Sequence, residues 1–154
     1  MKLCCDVIRS LAGQTLATAE SCTGGLIGGA LTAVAGSSAV YKGGIVSYTN
    51  EVKEEILGVD ATLLRAVGAV SAEVAEAMAV GAKSKLLADV AISTTGLAGP
   101  GGDDYGNPVG AVFIGYADNK ESFAKKFHFS GDRESVRRQA VEAALHLLLE
   151  QMHG

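Results

Sequence analysis

Tryptophan is absent from this 154-residue chain, and Phe, Tyr and Trp together make up only 5% of it. A core here has to be assembled from Ala, Val, Leu and Ile, and the low aromatic count gives little support to a protein-interaction module. Proline numbers 2 against 20 glycines, which speaks for tight turns and close packing rather than a disordered linker. Cysteine numbers 3, an odd count with Cys4 and Cys5 adjacent, so the thiols read as the reduced ones of a cytoplasmic protein. No apolar run approaches the roughly 18–20 residues that a membrane span needs. The opening "MKLCCDVIRSLAGQ" reads as a helix and lacks the apolar region of a signal peptide. Positive charge is also scarce. Lys and Arg total 13 against 17 acids, a net −4, and neither nucleic acid nor a membrane surface is an expected partner.

What remains is apolar and small. Hydrophobic residues reach 48% and mean hydropathy is +0.26, enough for a core without disulfides. The length suits a single domain over residues 1–154. A helix is expected over 2–12, then a period-2 strand at "TLATA". A helix with Leu26, Ile27, Ala30, Leu31 and Val34 on one face follows. Its Gly28 and Gly29 make sense if another backbone packs close. A β-rich stretch from Val40 to Tyr48 leads to the helix "EVKEEIL", capped by Thr49 or Asn50 and stopped at Gly58. Asp60 or Thr62 starts a short helix, and Ser71 caps a longer one. The strand "DVAIST" precedes the glycine loop "TGLAGPGGDDYGNP". A hairpin of "VGAVFIGYA" and "SFAKKFHF" comes next, and a long helix from "GDRESVRR" ends the pattern. Alternation of strands and helices up to one late hairpin predicts an α/β sandwich with a mostly parallel sheet. Ligands of such sheets bind beyond the carboxyl ends of strands at a topological switch. The loops "ESCTGG" and "TTGLAGPGG" fit that place. The last helix, with Leu145, Leu148, Leu149 and Met152, has more apolar face than one sheet is expected to cover, which predicts a homodimer or larger.

Ser21 falls where a strand meets a helix. It reads either as a helix N-cap or as a nucleophile beside the unpaired N–H groups of a helix start, which could stabilise an oxyanion or bind phosphate. A serine nucleophile needs a base. His128, His146 and His153 all lie in the last strand and helix, with no Asp in a triad-like context, so a Ser-His-Asp arrangement is weak. Lysine is the other option. Lys53, in "SYTNEVK", taken alone reads as a solvated first-turn residue. Cys22 reads as a small buried residue, since no His partner is placed for a thiolate. Asp103 and Asp104 have no His or Cys at ligand spacing, and no metal is expected. Arg133, Arg137 and Arg138 read as a phosphate-facing group or as a charged helix face.

These motifs together resemble one family. "TAESCTGGLIGGALTAVAGSSAVYKGGIVSYTNEVKEEILGV", "GAVS", "TTGLAGPGG", "PVG" and "SGDRESVRRQA" are similar to the CinA C-terminal domain, a competence/damage-inducible family that includes nicotinamide-nucleotide amidohydrolases. The resemblance implies a three-layer α/β/α sandwich on a five-stranded mixed sheet of order 2-1-3-4-5, strand 4 antiparallel. It implies hydrolysis of the carboxamide of nicotinamide mononucleotide to nicotinate mononucleotide and ammonia by a Ser/Lys mechanism without a cofactor. By motif position the nucleophile falls on Ser21 and the lysine on Lys53, with Tyr48 and Ser38 as accompanying polar positions that could relay the proton. Backbone N–H groups of Cys22, Thr23 and Gly24, with Thr95, are the implied oxyanion donors. Gly96, Gly99, Gly101 and Gly102 are the implied substrate loop, and Arg133 or Arg137 the charge partner of the phosphate. The alternative is a nucleotide-binding or competence-associated module without catalysis.

Overall fold

The structure is a computed structural model that describes residues 1–153. Its elements run α1 (Lys2–Ser10), β1 (Leu16–Glu20), α2 (Leu26–Thr32), a 3₁₀ turn (Ser37–Ala39), β2 (Tyr41–Val46), α3 (Asn50–Glu55), α4 (Ala61–Val67), α5 (Ala72–Lys85), β3 (Val90–Gly96), β4 (Ala111–Ala117), β5 (Ser122–His128) and α6 (Arg133–His153). The expected caps hold at three helices. Thr49, Asp60 and Ser71 accept from Val52, Thr62 and Val74 N–H, which satisfies donors a helix start leaves unpaired.

The sheet has order β2-β1-β3-β4-β5. β1 pairs parallel with β2 and β3, while β4 runs antiparallel to both β3 and β5. This is the sandwich expected from the sequence. Side-chain alternation divides the strands between two cores. Leu16, Val90, Ile92, Val112 and Ile114 face α1, α2 and α6. Ala17, Ala19 and Ala91 face α4 and α5. The α5 face is small because the helix backbone lies directly on it. Ser93 donates to Ala75 O at 2.5 Å, and a Cβ at Gly115 would collide with that carbonyl. Glycine is thus required there by close approach.

Two expectations change. Gly28 is small because the hydroxyl of Tyr41 lies 2.7 Å from where a Cβ would stand, whereas Gly29 faces open space; no neighbouring backbone packs on the pair. On α6, Leu145 and Leu148 are buried, and Leu149 and Met152 pack on the same core with α1. The face expected to be unpaired is covered within the chain, so self-association draws no support from it. His146 lies outside the core and is exposed, because its position in the helix turns it away from the sheet that buries Leu147 and Leu148.

Candidate active site

The ladder of β1 continues one step past its end. Ser21 N donates to Thr94 O at 3.0 Å and Ser47 N donates to Glu20 O at 2.8 Å. Ser21 is therefore fixed at the switch point between β1 and β3, with the end of β2 beside it. Only two residues separate β2 from Thr49, the cap of α3, so α3 rises at once over the carboxyl end of the sheet. Alternation along β1 sends Ser21 to the α3 side.

There the Lys53 Nζ stands 3.0 Å from Ser21 Oγ, 2.8 Å from Ser47 O and 3.2 Å from Tyr48 O. Lys53 is 1% exposed, contrary to the solvated reading of its position. Among the described residues no carboxylate pairs with it. Burial pushes its pKa down from 10.5 to about 8, because desolvation penalises the ammonium. The three partners are oxygens within hydrogen-bond reach of the amine in either charge state. As an ammonium Lys53 donates to all three; on losing a proton it keeps two N–H groups for the carbonyls of Ser47 and Tyr48 and turns a lone pair toward the Ser21 hydroxyl. The arrangement is a buried serine–amine pair in direct hydrogen-bond contact.

Ser21 is not a cap. α2 begins at Leu26, with Gly25 at its N-cap position, φ +105°, and no side-chain cap. The start is served by Glu20, 2% exposed. Its carboxylate accepts from Thr23 Oγ1 at 2.6 Å and from the N–H groups of Gly25 (3.2 Å), Ile27 (2.9 Å) and Gly28 (3.0 Å). Thr23 Oγ1 also lies 2.8 Å from Thr94 Oγ1. Glu20 was not singled out from the sequence, because a cap is sought next to a helix, not at the end of the preceding strand. A carboxylate at an inward-facing strand position, followed by two glycine pairs, was the available signal.

A cavity of about 430 Å³ opens over the pair, within the range of small-molecule sites. Ser21, Cys22, Tyr48, Lys53, Thr95, Gly96, Gly99, Gly101 and Arg133 all line it. Asn50, until here only a candidate cap, does so as well, with Ala69, Val70, Leu97, Ala98 and Pro100, which had not been singled out. Arg133 donates to Gly99 O at 2.7 Å and reaches Tyr48 Oη at 3.4 Å, holding one wall together.

Other expected residues do different work. Ser38 is exposed at the amino end of β2, whereas Ser21 lies beyond the carboxyl end of the parallel β1; it cannot relay a proton between Ser21 and Lys53. The Tyr48 hydroxyl turns to Arg133, and the direct Ser21–Lys53 contact leaves it no relay to perform. Gly24 N–H is spent on Ser21 O at 3.1 Å, and the Thr95 hydroxyl donates to Ala69 O at 2.8 Å, so neither has a proton free for an oxyanion. Thr23, Gly24 and Gly102 do not line the cavity. Arg137 does not either; it donates to Cys22 O at 3.0 Å and Thr23 O at 3.3 Å. With Arg133 and Arg138 it lines a separate groove of about 670 Å³ that contains neither Ser21 nor Lys53. Cys22 packs into the α6-side core, and burial pushes its thiol up to about 11, the reverse of what a thiolate nucleophile needs. The Asp103 carboxylate staples its own loop through Tyr105 N and both nitrogens of Asn107. Among the described residues no histidine lines the cavity.

A doubly wound α/β sandwich with a buried Ser–Lys pair at its switch point is the class these observations define. The chain belongs to the CinA C-terminal domain family, whose model matches residues 4–152. It is 49% identical over 150 residues to a CinA-like protein of Mycolicibacterium gilvum, covering 97% of this chain and 36% of that relative. The chain thus spans about a third of the length of such curated relatives. Among solved structures it is similar to a CinA superfamily protein of Klebsiella pneumoniae, with 37% identity and a TM-score of 0.96 over 99% of this chain and 96% of that one. A competence/damage inducible protein of Agrobacterium tumefaciens shares 39% identity, with a TM-score of 0.93 over 99% and 94% of the two chains.

Proposed function

We propose that this chain is an amidohydrolase that cleaves the carboxamide of nicotinamide mononucleotide, yielding nicotinate mononucleotide and ammonia. The observation that carries the reading is the Ser21–Lys53 contact of 3.0 Å, buried and without an acidic partner among the described residues. The substrate rests on the family resemblance, and the cavity volume and the arginine at its wall are compatible with a mononucleotide. Neutral Lys53 takes the Ser21 proton as Oγ attacks the carboxamide carbon. The oxyanion is met by Cys22 N–H, the donor that follows the nucleophile at the cavity wall. Protonated Lys53 then gives its proton to the leaving nitrogen, ammonia departs, and water, deprotonated by Lys53, resolves the acyl-serine. No step needs a cofactor.

The test is ammonia release from nicotinamide mononucleotide by the purified chain, quantified with matched nicotinate mononucleotide formation. No release at any pH between about 7 and 9 removes the proposal; tight binding without release favours the nucleotide-binding module instead. Cys22→Ala separates serine from thiol chemistry. Its turnover is expected to stay within about twofold of wild type, since the buried thiol is protonated and turned into the core. Loss of turnover with an unchanged melting temperature would return Cys22 to the role of nucleophile.

A further inference from the structure

We propose that Arg137 is a positioning residue for the oxyanion donor, acting through two peptide units to aim Cys22 N–H at the cavity. This rests on the amidohydrolase reading above. A trans peptide is planar, with its C=O and N–H pointing in opposite directions, so fixing one end fixes the other. Arg137 Nη2 donates to Thr23 O at 3.3 Å. The far side of that same peptide is Gly24 N–H, which donates to Ser21 O at 3.1 Å. The far side of the Ser21 peptide is Cys22 N–H. Among the described residues no hydrogen bond joins this N–H to another residue; its one contact is the Cys22 thiol itself, and Cys22 lines the cavity with Ser21. Arg137 Nε meanwhile donates to Cys22 O at 3.0 Å, locking the intervening peptide. The guanidinium is the far end of a relay that terminates in a donor bound to no other residue, next to the nucleophile.

Two further observations agree with that role. Among the described residues Arg137 has no carboxylate partner, so its charge is directed at the two carbonyls and polarises the chain of peptides behind them. Gly24 adopts φ +59°, and Arg137 Nη2 lies 3.3 Å from where a Cβ would stand; the turn is shaped to receive the guanidinium. Glu20 braces the other side of the turn through Gly25 N–H, so the loop carrying Cys22 is held by a cation and an anion at once. Lysine cannot replace arginine here, because one ammonium does not reproduce the fork onto two carbonyls.

The experiment compares wild type, Arg137→Lys and Arg137→Ala by two independent readouts. Hydrogen exchange at the Gly24 amide reads the relay without reference to activity, and it is expected to accelerate at least about tenfold in both variants. Ammonia release reads its consequence. The kcat is expected to fall about 100-fold in Arg137→Ala, the range seen when one oxyanion donor is lost. KM and the pH midpoint of the rate should be unchanged, and added guanidinium ion should restore part of kcat to Arg137→Ala. Unchanged Gly24 exchange overturns the proposal, as does faster exchange with kcat intact. A rise in KM alone overturns it too, because Arg137 would then be a substrate-binding group. A wild type that releases no ammonia removes the amidohydrolase reading, and Gly24 exchange still decides the relay. If Arg137→Ala does not fold, Arg137→Lys carries both readouts.

Discussion

Lys53→Met is expected to lower kcat/KM for ammonia release by about four orders of magnitude, the scale on which a base acting as a unit with its nucleophile is lost. Methionine fills a similar volume but has neither the lone pair that accepts the Ser21 proton nor the N–H groups that return it. The wild-type rate carries the same information. The proposed mechanism needs the neutral amine, so kcat/KM is expected to rise about tenfold per pH unit below a midpoint near 8 and to level above it. A rate that is flat from pH 6 to 9, or a variant with wild-type turnover, sinks the lysine base.

Stability gives a second handle on the same residue. The amine has a pKa of 10.5 when solvated and about 8 in the fold, so between those values the unfolded chain binds more protons than the native one. Stability from this group therefore rises with pH across that window. Urea unfolding of wild type minus Lys53→Met should become more favourable to wild type by about 2 kcal/mol between pH 7.5 and 10. The opposite sign would mean that Lys53 is paired as an ammonium.

Ser21→Ala is the second large effect. Turnover should drop by roughly four orders of magnitude or more, while calorimetry should find nicotinamide mononucleotide bound with little change in affinity. The hydroxyl contributes one hydrogen bond to a site otherwise formed by the glycine loop and Arg133. Lys53 keeps its two carbonyl acceptors, so the melting temperature should hardly move. Retained turnover would place the attack elsewhere, and a simultaneous loss of binding and stability would make Ser21 a structural residue.

Much of the frame was legible before the coordinates. Periodicity and capping residues located the strands and most helices, and the switch-point rule put both glycine loops at one end of the sheet. The pairing of Ser21 with Lys53 was not legible from local chemistry. A first-turn lysine is ordinarily solvated, and what buries this one is the parallel register Glu20↔Val46, which sets residues far apart in sequence side by side. Ser38 misled for the related reason that a motif's residues cluster in sequence while parallel strands present opposite ends of a loop to opposite edges. Ser21 as a cap failed because Glu20 already occupies the helix donors. Arg137 stood out for its charge, but the sequence carries no sign that its acceptors are the two carbonyls after the nucleophile.

The two guanidinium groups that finish the site, on Gly99 and on the Cys22 turn, both come from the first two turns of α6. That helix follows every strand in the chain. During synthesis, Ser21 and Lys53 can meet as soon as β2 and α3 have emerged and β3 has joined the sheet. The wall and the donor wait for a segment made more than thirty residues later. In the proposed amidohydrolase, catalytic competence thus follows the meeting of Ser21 and Lys53, and a chain still emerging from the ribosome holds its nucleophile without the means to use it.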